Sequence, residues 1–172
     1  MALREVVQFP DPRLKQVSAP VEDMTDEIRE LARDMIEVMY DEPGIGLAAP
    51  QVGASLRLFV IDTEWSDEEV GPNPLVVVNP EISDREGKIT WEEGCLSVPD
   101  YTATVERDAT ITLRGTDLDG QPIEEHAEGL RAVCIQHEVD HLDGVLFIDR
   151  ISRLKRSLYV KKRKKQLADE QA

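Results

Sequence analysis

Hydrophobic positions along the chain change period several times, and each change marks an element. Residues 25–40, TDEIRELARDMIEVMY, place Ile28, Leu31, Met35, Val38 and Met39 at helical spacing with charge on the other face. That spacing predicts an amphipathic helix, ended at DEPGIG by a proline and two glycines. Strand-like runs follow: LRLFVID, LVVVNP, KITWEE, ATVERD and TITLRG, separated by Pro, Gly and Asp. Such short connections predict antiparallel pairing. LDGQPIEEHAEG opens with an Asp-Gly turn, and residues 130–142 read as a second helix ended by Gly144. Residues 152–168 contain no Gly or Pro and set Leu154, Leu158 and Leu167 among basic residues, which predicts a terminal amphipathic helix.

Helices and strands in this order predict an α+β fold. At 172 residues, with no internal repeat or linker, one domain is expected. Residues 1–149 should form its body and residues 150–172 a basic helix and tail of the same domain. No apolar run approaches the roughly 20 residues needed to span a bilayer. The N-terminus, MALREVVQFPDPRL, resembles neither a signal peptide nor a transit peptide, so cytoplasmic residence is expected.

Charge sharpens this division. The net charge is −15, yet residues 1–149 carry 11 Lys+Arg against 33 Asp+Glu, while residues 150–165 carry nine Lys+Arg and no acid. A basic arm for a polyanion on an acidic body, or a solvated helix face, would each produce this asymmetry. No membrane partner and no sequence-specific DNA partner is expected.

Candidate chemistry is concentrated in CIQHEVDHLDG, residues 134–144. Residues four apart on a helix share a face, so His137 and His141 can present imidazoles to one ion. Glu138 then projects beside it, completing His-Glu-x-x-His, in which the glutamate can serve as general base towards water. A catalytic ion of this kind needs a third protein ligand and an open position. No histidine follows the pair, and the downstream acids are too close or lie in the tail. His126 falls in a polar stretch that reads as an exposed turn. Cys95, where WEEGCLSVP passes from a strand-like run to a Gly and a later Pro, is the better candidate. Cys134, in the apolar run AVCI, reads as pocket lining or core. Elsewhere, GIGLAAPQ at residues 44–51 offers two glycines for close backbone approach and small side chains that leave space; alone it would also suit a helix end followed by a turn.

Together, GIGLAAPQ, EGCLS and QHEVDH, in this order, closely resemble the three signature motifs of peptide deformylases, and the likeness runs from FPDPRL to LDGVLFIDRIS. The chain resembles the bacterial class with a long C-terminal helix. The resemblance implies antiparallel sheets around a central His-Glu-x-x-His helix. It implies hydrolysis of the formyl group from the N-terminal formylmethionine of nascent polypeptides, with release of formate. It also implies one divalent ion, Fe²⁺ physiologically, with Zn²⁺ or Ni²⁺ as replacements in preparations. On that likeness Cys95, His137 and His141 would bind the ion, and Glu138 would move the proton. The Gln51 amide and the Leu96 backbone N–H would face the oxyanion. Ile45 and Gly46 would pair with the substrate backbone, and Ile45, Trp91, Leu130, Val133 and Cys134 would line the methionine pocket. Glu93 and Arg107 would form a supporting ion pair. Some relatives have an arginine near position 102, whereas this chain has Thr102. The resemblance also suggests that the basic C-terminal helix docks on the ribosome near the exit tunnel. Two other readings are a zinc peptidase using the same helix, disfavoured by the missing downstream ligand, and a ribosome-associated binder that has lost its activity.

Overall fold

In the computed structural model, residues 4–42, 44–64 and 71–171 are described; Pro43, one of the expected helix breakers, lies outside them. Helix α1 runs Asp26–Asp41 and buries Leu31, Ala32, Met35, Val38 and Met39, while Ile28 packs half-buried at the edge of the same cluster. Its start is set by Thr25, whose hydroxyl accepts from the Ile28 N–H, one of the donors a helix leaves unpaired. The apolar face covers strands β1 (Gly46–Ala48) and β2 (Leu58–Ile61).

These two strands continue into β3 (Leu75–Cys95), β4 (Val98–Thr116) and β5 (Pro122–Glu128), in the order β1-β2-β3-β4-β5. Every pairing is antiparallel. The sequence pattern suggests separate short strands where the fold has two long ones. Pro80 and Gly87, which read as breakers, lie inside β3; the register slips between Val78 and Glu81, around Pro80, and again between Ser83 and Glu86, just before Gly87. Bulges absorb residues that a regular ladder excludes. The register slips again between Gly94 and Cys95, at the closed end of the β3–β4 hairpin. That irregularity places Cys95 on the turn. β5 is a second difference: the stretch around His126 is a strand paired with β4, and His126 is exposed on it, with Nδ1 2.8 Å from Thr112 Oγ1.

Helix α2 (Gly129–Leu142) packs on all five strands and is buried along most of its length. Ala132, Cys134, Ile135 and Leu142 join Phe59, Ile61, Val77, Ile111 and Leu113 in the core between helix and sheet. The helix ends against the N-terminal segment. Gly144 has φ +75°, and a Cβ there would lie 2.4 Å from the Lys15 carbonyl oxygen, so only glycine fits. The N-terminal segment also straps the site's backbone, since Val7 N–H donates to Gln51 O and Phe9 N–H to Ser97 O, both at 2.7 Å.

Helix α3 (Arg153–Glu170) docks differently from its leucine pattern. Leu154 and Leu158 are 70% and 60% exposed, whereas Tyr159 and Arg163 are buried. Tyr159 stacks near Tyr101 at 4.7 Å and donates its hydroxyl to Pro99 O. Arg163 donates Nε–H to Phe9 O at 2.8 Å. The basic helix is therefore anchored on the body through Tyr159 and Arg163, and three of its region's cations, Arg150, Arg156 and Arg163, face the body.

Asp149 ties this region together, accepting from Lys15 at 2.6 Å, Leu146 N–H at 2.9 Å and Arg156 at 3.0 Å. Burial opposes its charge, but these donors outweigh it and hold the carboxyl below the ordinary range. A depressed folded pKa means that ionised Asp149 stabilises the fold above its unfolded value of about 3.9, and that this contribution fades as pH falls through the lower folded value. Asp149→Asn should cost about 1 kcal/mol at pH 7. The deficit should shrink below about pH 4. Urea unfolding of both proteins across pH checks this, and a deficit independent of pH would contradict it.

Candidate metal and catalytic site

His137 and His141, one turn apart on α2, point Nε2 towards each other at 3.2 Å. Cys95, brought in by the hairpin turn, sets Sγ 3.4 Å from His141 Nε2. The three donor atoms all lie within 4.8 Å of one another, the one such group of three among the described residues. His126 is elsewhere.

The surroundings fix which nitrogen of the His137 ring faces the cluster. His137 Nδ1 lies 2.9 Å from Glu93 Oε1, a carboxylate that can only accept, so Nδ1 carries a proton and Nε2 faces the cluster. Burial opposes charge on Glu93, yet Arg107 and His137 bring its carboxyl down to about 2. Burial likewise opposes charge on His137, but Cys95 and Glu93 overcome it and raise that imidazole well above its ordinary value. The field at this point favours positive charge. His141 is held neutral by burial and by His137, as a metal ligand must be.

Glu138 lies on the same helix with Oε1 buried and unpaired among protein atoms. Burial pushes its carboxyl up to about 7, against the opposing pull of His137. Gly46 makes room for it, because a Cβ at that position would sit 2.4 Å from Glu138 Oε2. Gln51 faces the cluster from the short turn Ala49–Val52. Its Oε1 accepts from Ala48 N–H at 2.9 Å, which turns the amide nitrogen to Ser97 Oγ at 3.1 Å and Cys95 Sγ at 3.5 Å.

A cavity of about 410 Å³ opens beside these groups. Its lining includes every residue expected to hold the metal, the oxyanion or the substrate except the buried His141: Ile45, Gly46, Gln51, Trp91, Cys95, Leu96, Leu130, Val133, Cys134, His137 and Glu138; Glu93 lines it too, whereas its partner Arg107 does not. Ile45 and Trp91 are partly exposed at its rim, at 44% and 39%. Cys134 is buried, and burial raises its thiol well above the ordinary value. Thr102 donates to Glu92 Oε1 at 2.9 Å, so this part of the rim presents a carboxylate. Three participants went unread in the sequence: Ser97, which receives the Gln51 amide, and Asp140 and Arg150, which extend the Glu93–Arg107 pair. A polar residue at position 140 of an otherwise buried helix was a signal for one of them.

Comparison with known proteins decides the family. The polypeptide deformylase family matches residues 3–157. The chain belongs to the polypeptide deformylases. It is 52% identical to the peptide deformylase of Novosphingobium aromaticivorans, covering 96% of this chain and 97% of that one. It is 57% identical to that of Hyphomonas neptunium, over 96% and 94% of the two chains. The crystal structure of the Legionella pneumophila deformylase matches with a TM-score of 0.88 and 44% identity, covering 98% of each chain. A Met-Ala-Ser-bound deformylase of Acinetobacter baumannii matches at 0.81 and 35%, covering 87% of this chain and 99% of that one. This deformylase is thus a hydrolase that removes the formyl group from peptides.

Deformylases are metal-dependent, and the donor set here fits an ion. Ligand distances of about 2.0–2.1 Å for nitrogen and about 2.3 Å for sulfur in a tetrahedron separate two nitrogens by about 3.3 Å, and sulfur from nitrogen by about 3.6 Å. The observed 3.2 and 3.4 Å are close to these. Two ring nitrogens facing each other across such a gap need a positive charge between them, which a metal ion supplies when bound and a proton on His137 supplies otherwise. Cys95→Ser should therefore abolish most metal retention, because a hydroxyl stays protonated where a thiolate is needed. Cys134→Ser should keep it. Metal analysis of the two purified variants checks the division, and equal losses would contradict it.

Proposed function

We propose that the chain hydrolyses the formyl group from the N-terminal formylmethionine of nascent polypeptides, releasing formate and a free amino terminus. The observation that carries this reading is the placement of Glu138 beside the three-donor cluster, its Oε1 4.0 Å from His141 Nε2, in the wall of a largely apolar cavity that Cys95 and His137 also line. Cys95, His137 and His141 would hold one divalent ion, Fe²⁺ in the cell, with Zn²⁺ or Ni²⁺ as substitutes in preparations. When bound, such an ion supplies Lewis acidity that polarises a carbonyl and lowers the pKa of water to about 7.

The chain's own groups do the rest. Glu138 takes a proton from the attacking water on a carboxylate oxygen and delivers it to the leaving nitrogen, so that the C–N bond breaks to formate and amine. The Gln51 amide, turned by Ala48, and the Leu96 N–H donate to the developing oxyanion. Ile45 and Gly46 present backbone to the substrate peptide. Ile45, Trp91, Leu130, Val133 and Cys134 surround the methionine side chain. The Acinetobacter structure, described as Met-Ala-Ser-bound, supports a peptide beginning with methionine as the occupant. Residues 1–149 would form the catalytic body, completed by the docked helix α3, and the protein would work in the cytoplasm; among the described residues no helix is long and apolar enough to cross a membrane.

Glu138→Gln should retain metal and fold but lose about 10²–10⁴ in turnover, since an amide cannot accept the proton. Formate release from a formyl-Met peptide by the metal-loaded variant measures this, and near-normal release would overturn the reading.

Ribosome docking would use the cations that the fold leaves free: Arg153, Lys155, Lys161, Lys162, Lys164 and Lys165 are exposed. Truncation at Ser152 would remove Tyr159 and Arg163 from the core, so substitution is the cleaner experiment. Replacing Lys161, Lys162, Lys164 and Lys165 with Gln should weaken ribosome cosedimentation at near-physiological salt while peptide deformylation persists. Unchanged cosedimentation would favour a merely solvated helix face.

A further inference from the structure

Four charged side chains form an unbroken series that runs from the surface to Glu93 in the cavity wall and ends on a histidine of the cluster. Arg150 donates to both oxygens of Asp140, Nη2 to Oδ1 at 2.7 Å and Nε to Oδ2 at 2.5 Å. Arg107 donates Nη1 to Asp140 Oδ2 at 2.5 Å, and Nε and Nη2 to the two oxygens of Glu93, each at 2.8 Å. Glu93 Oε1 in turn meets His137 Nδ1. The three inner members are buried, whereas the Arg150 side chain is 45% exposed at the outer end.

We propose that Arg150 is a positioning residue for the metal site, acting through Asp140, Arg107 and Glu93 on His137. This inference rests on the metal-site reading above. Arg107 is shared between two buried carboxylates, and each competes for it. Arg150 supplies Asp140 with a second guanidinium, so Arg107 can give a two-point fork to Glu93. Glu93 then holds the Nδ1 proton of His137 and keeps its Nε2 aimed at the cluster, the arrangement that strengthens a histidine ligand. The series is also electrically balanced, with two cations and two anions. Removing Arg150 leaves one buried carboxylate in excess and draws Arg107 towards Asp140. A small cavity of about 190 Å³, lined by Arg107, Asp140 and Arg150 among others, gives that guanidinium room to move.

A nearby ion pair separates this role from simple anchoring. Arg156 holds Asp149 at 3.0 Å, close to Arg150 in the chain but with no member in the series. The test follows zinc loss to a chromophoric chelator from zinc-loaded wild type, Arg150→Gln, Arg150→Lys and Arg156→Gln, with the melting temperature of each metal-free protein as reference. Arg150→Gln should lose zinc about tenfold faster or more. Arg150→Lys, which keeps the charge but not the fork, should fall between it and wild type; it also carries the test should the Gln variant fail to fold. Arg156→Gln should match the wild-type rate even where its melting temperature drops as far. Unchanged zinc loss from Arg150→Gln, or equal acceleration in Arg156→Gln, would overturn the proposal alone. A wild-type protein that holds no zinc would overturn the metal-site reading and this proposal with it.

Discussion

Helix α2 is enclosed on nearly every side, yet it carries His137, Glu138, Asp140 and His141; His137 and Asp140 are answered from within the protein, while Glu138 Oε1 and His141 Nδ1 are left without a protein partner. Burial makes the answer specific. An unpaired polar group in a low-dielectric interior is costly, and a satisfied network permits few alternatives. Glu93 and Arg107 come from paired strands of one hairpin, and that same hairpin's turn delivers Cys95. One structural unit therefore supplies both a donor to the cluster and the groups that orient another donor. The remaining side of the site comes from the loop between α1 and β2, where Gly46 and Gln51 are held by the β1–β2 ladder and the N-terminal strap.

Two faces of α2 have different tasks. Towards the cavity it shows Val133, Cys134, His137 and Glu138; away from it, Asp140 connects to Arg107 and Arg150. The elevated carboxyl of Glu138 and the depressed carboxyl of Glu93 arise from this partition. Glu93 has a guanidinium across two bonds, whereas Glu138 faces the apolar cavity with an oxygen unanswered by the protein. Groups whose environments push their pKa values apart commonly divide structural and proton-transfer roles.

Much of this was legible in residue order. The helical spacing of Ile28 to Met39 and of the histidine pair predicts α1 and α2, and all three motifs contribute residues to the cavity wall. Other features were hidden for physical reasons. Pro80 and Gly87 look like strand ends, but a bulge carries β3 past Pro80 and Gly87 continues the ladder with a positive φ. β5 has weak alternation because Glu125 turns inward to pair with Arg131, so its stretch reads as polar. Leucines suggested the docking face of α3, whereas Tyr159 and Arg163 make the contact through ring packing and a hydrogen bond to backbone. Arg150 looked like one more cation of a basic tail; only the fold shows that Asp140 claims it.

X-ray absorption at the metal edge of the loaded protein tests the central claim most directly, because it reads the ligand atoms without reference to turnover. A centre built from Cys95, His137 and His141 should show one sulfur at about 2.3 Å and two imidazole nitrogens at about 2.0–2.1 Å when loaded with zinc. A shell of nitrogen and oxygen alone in the unsubstituted protein would contradict it.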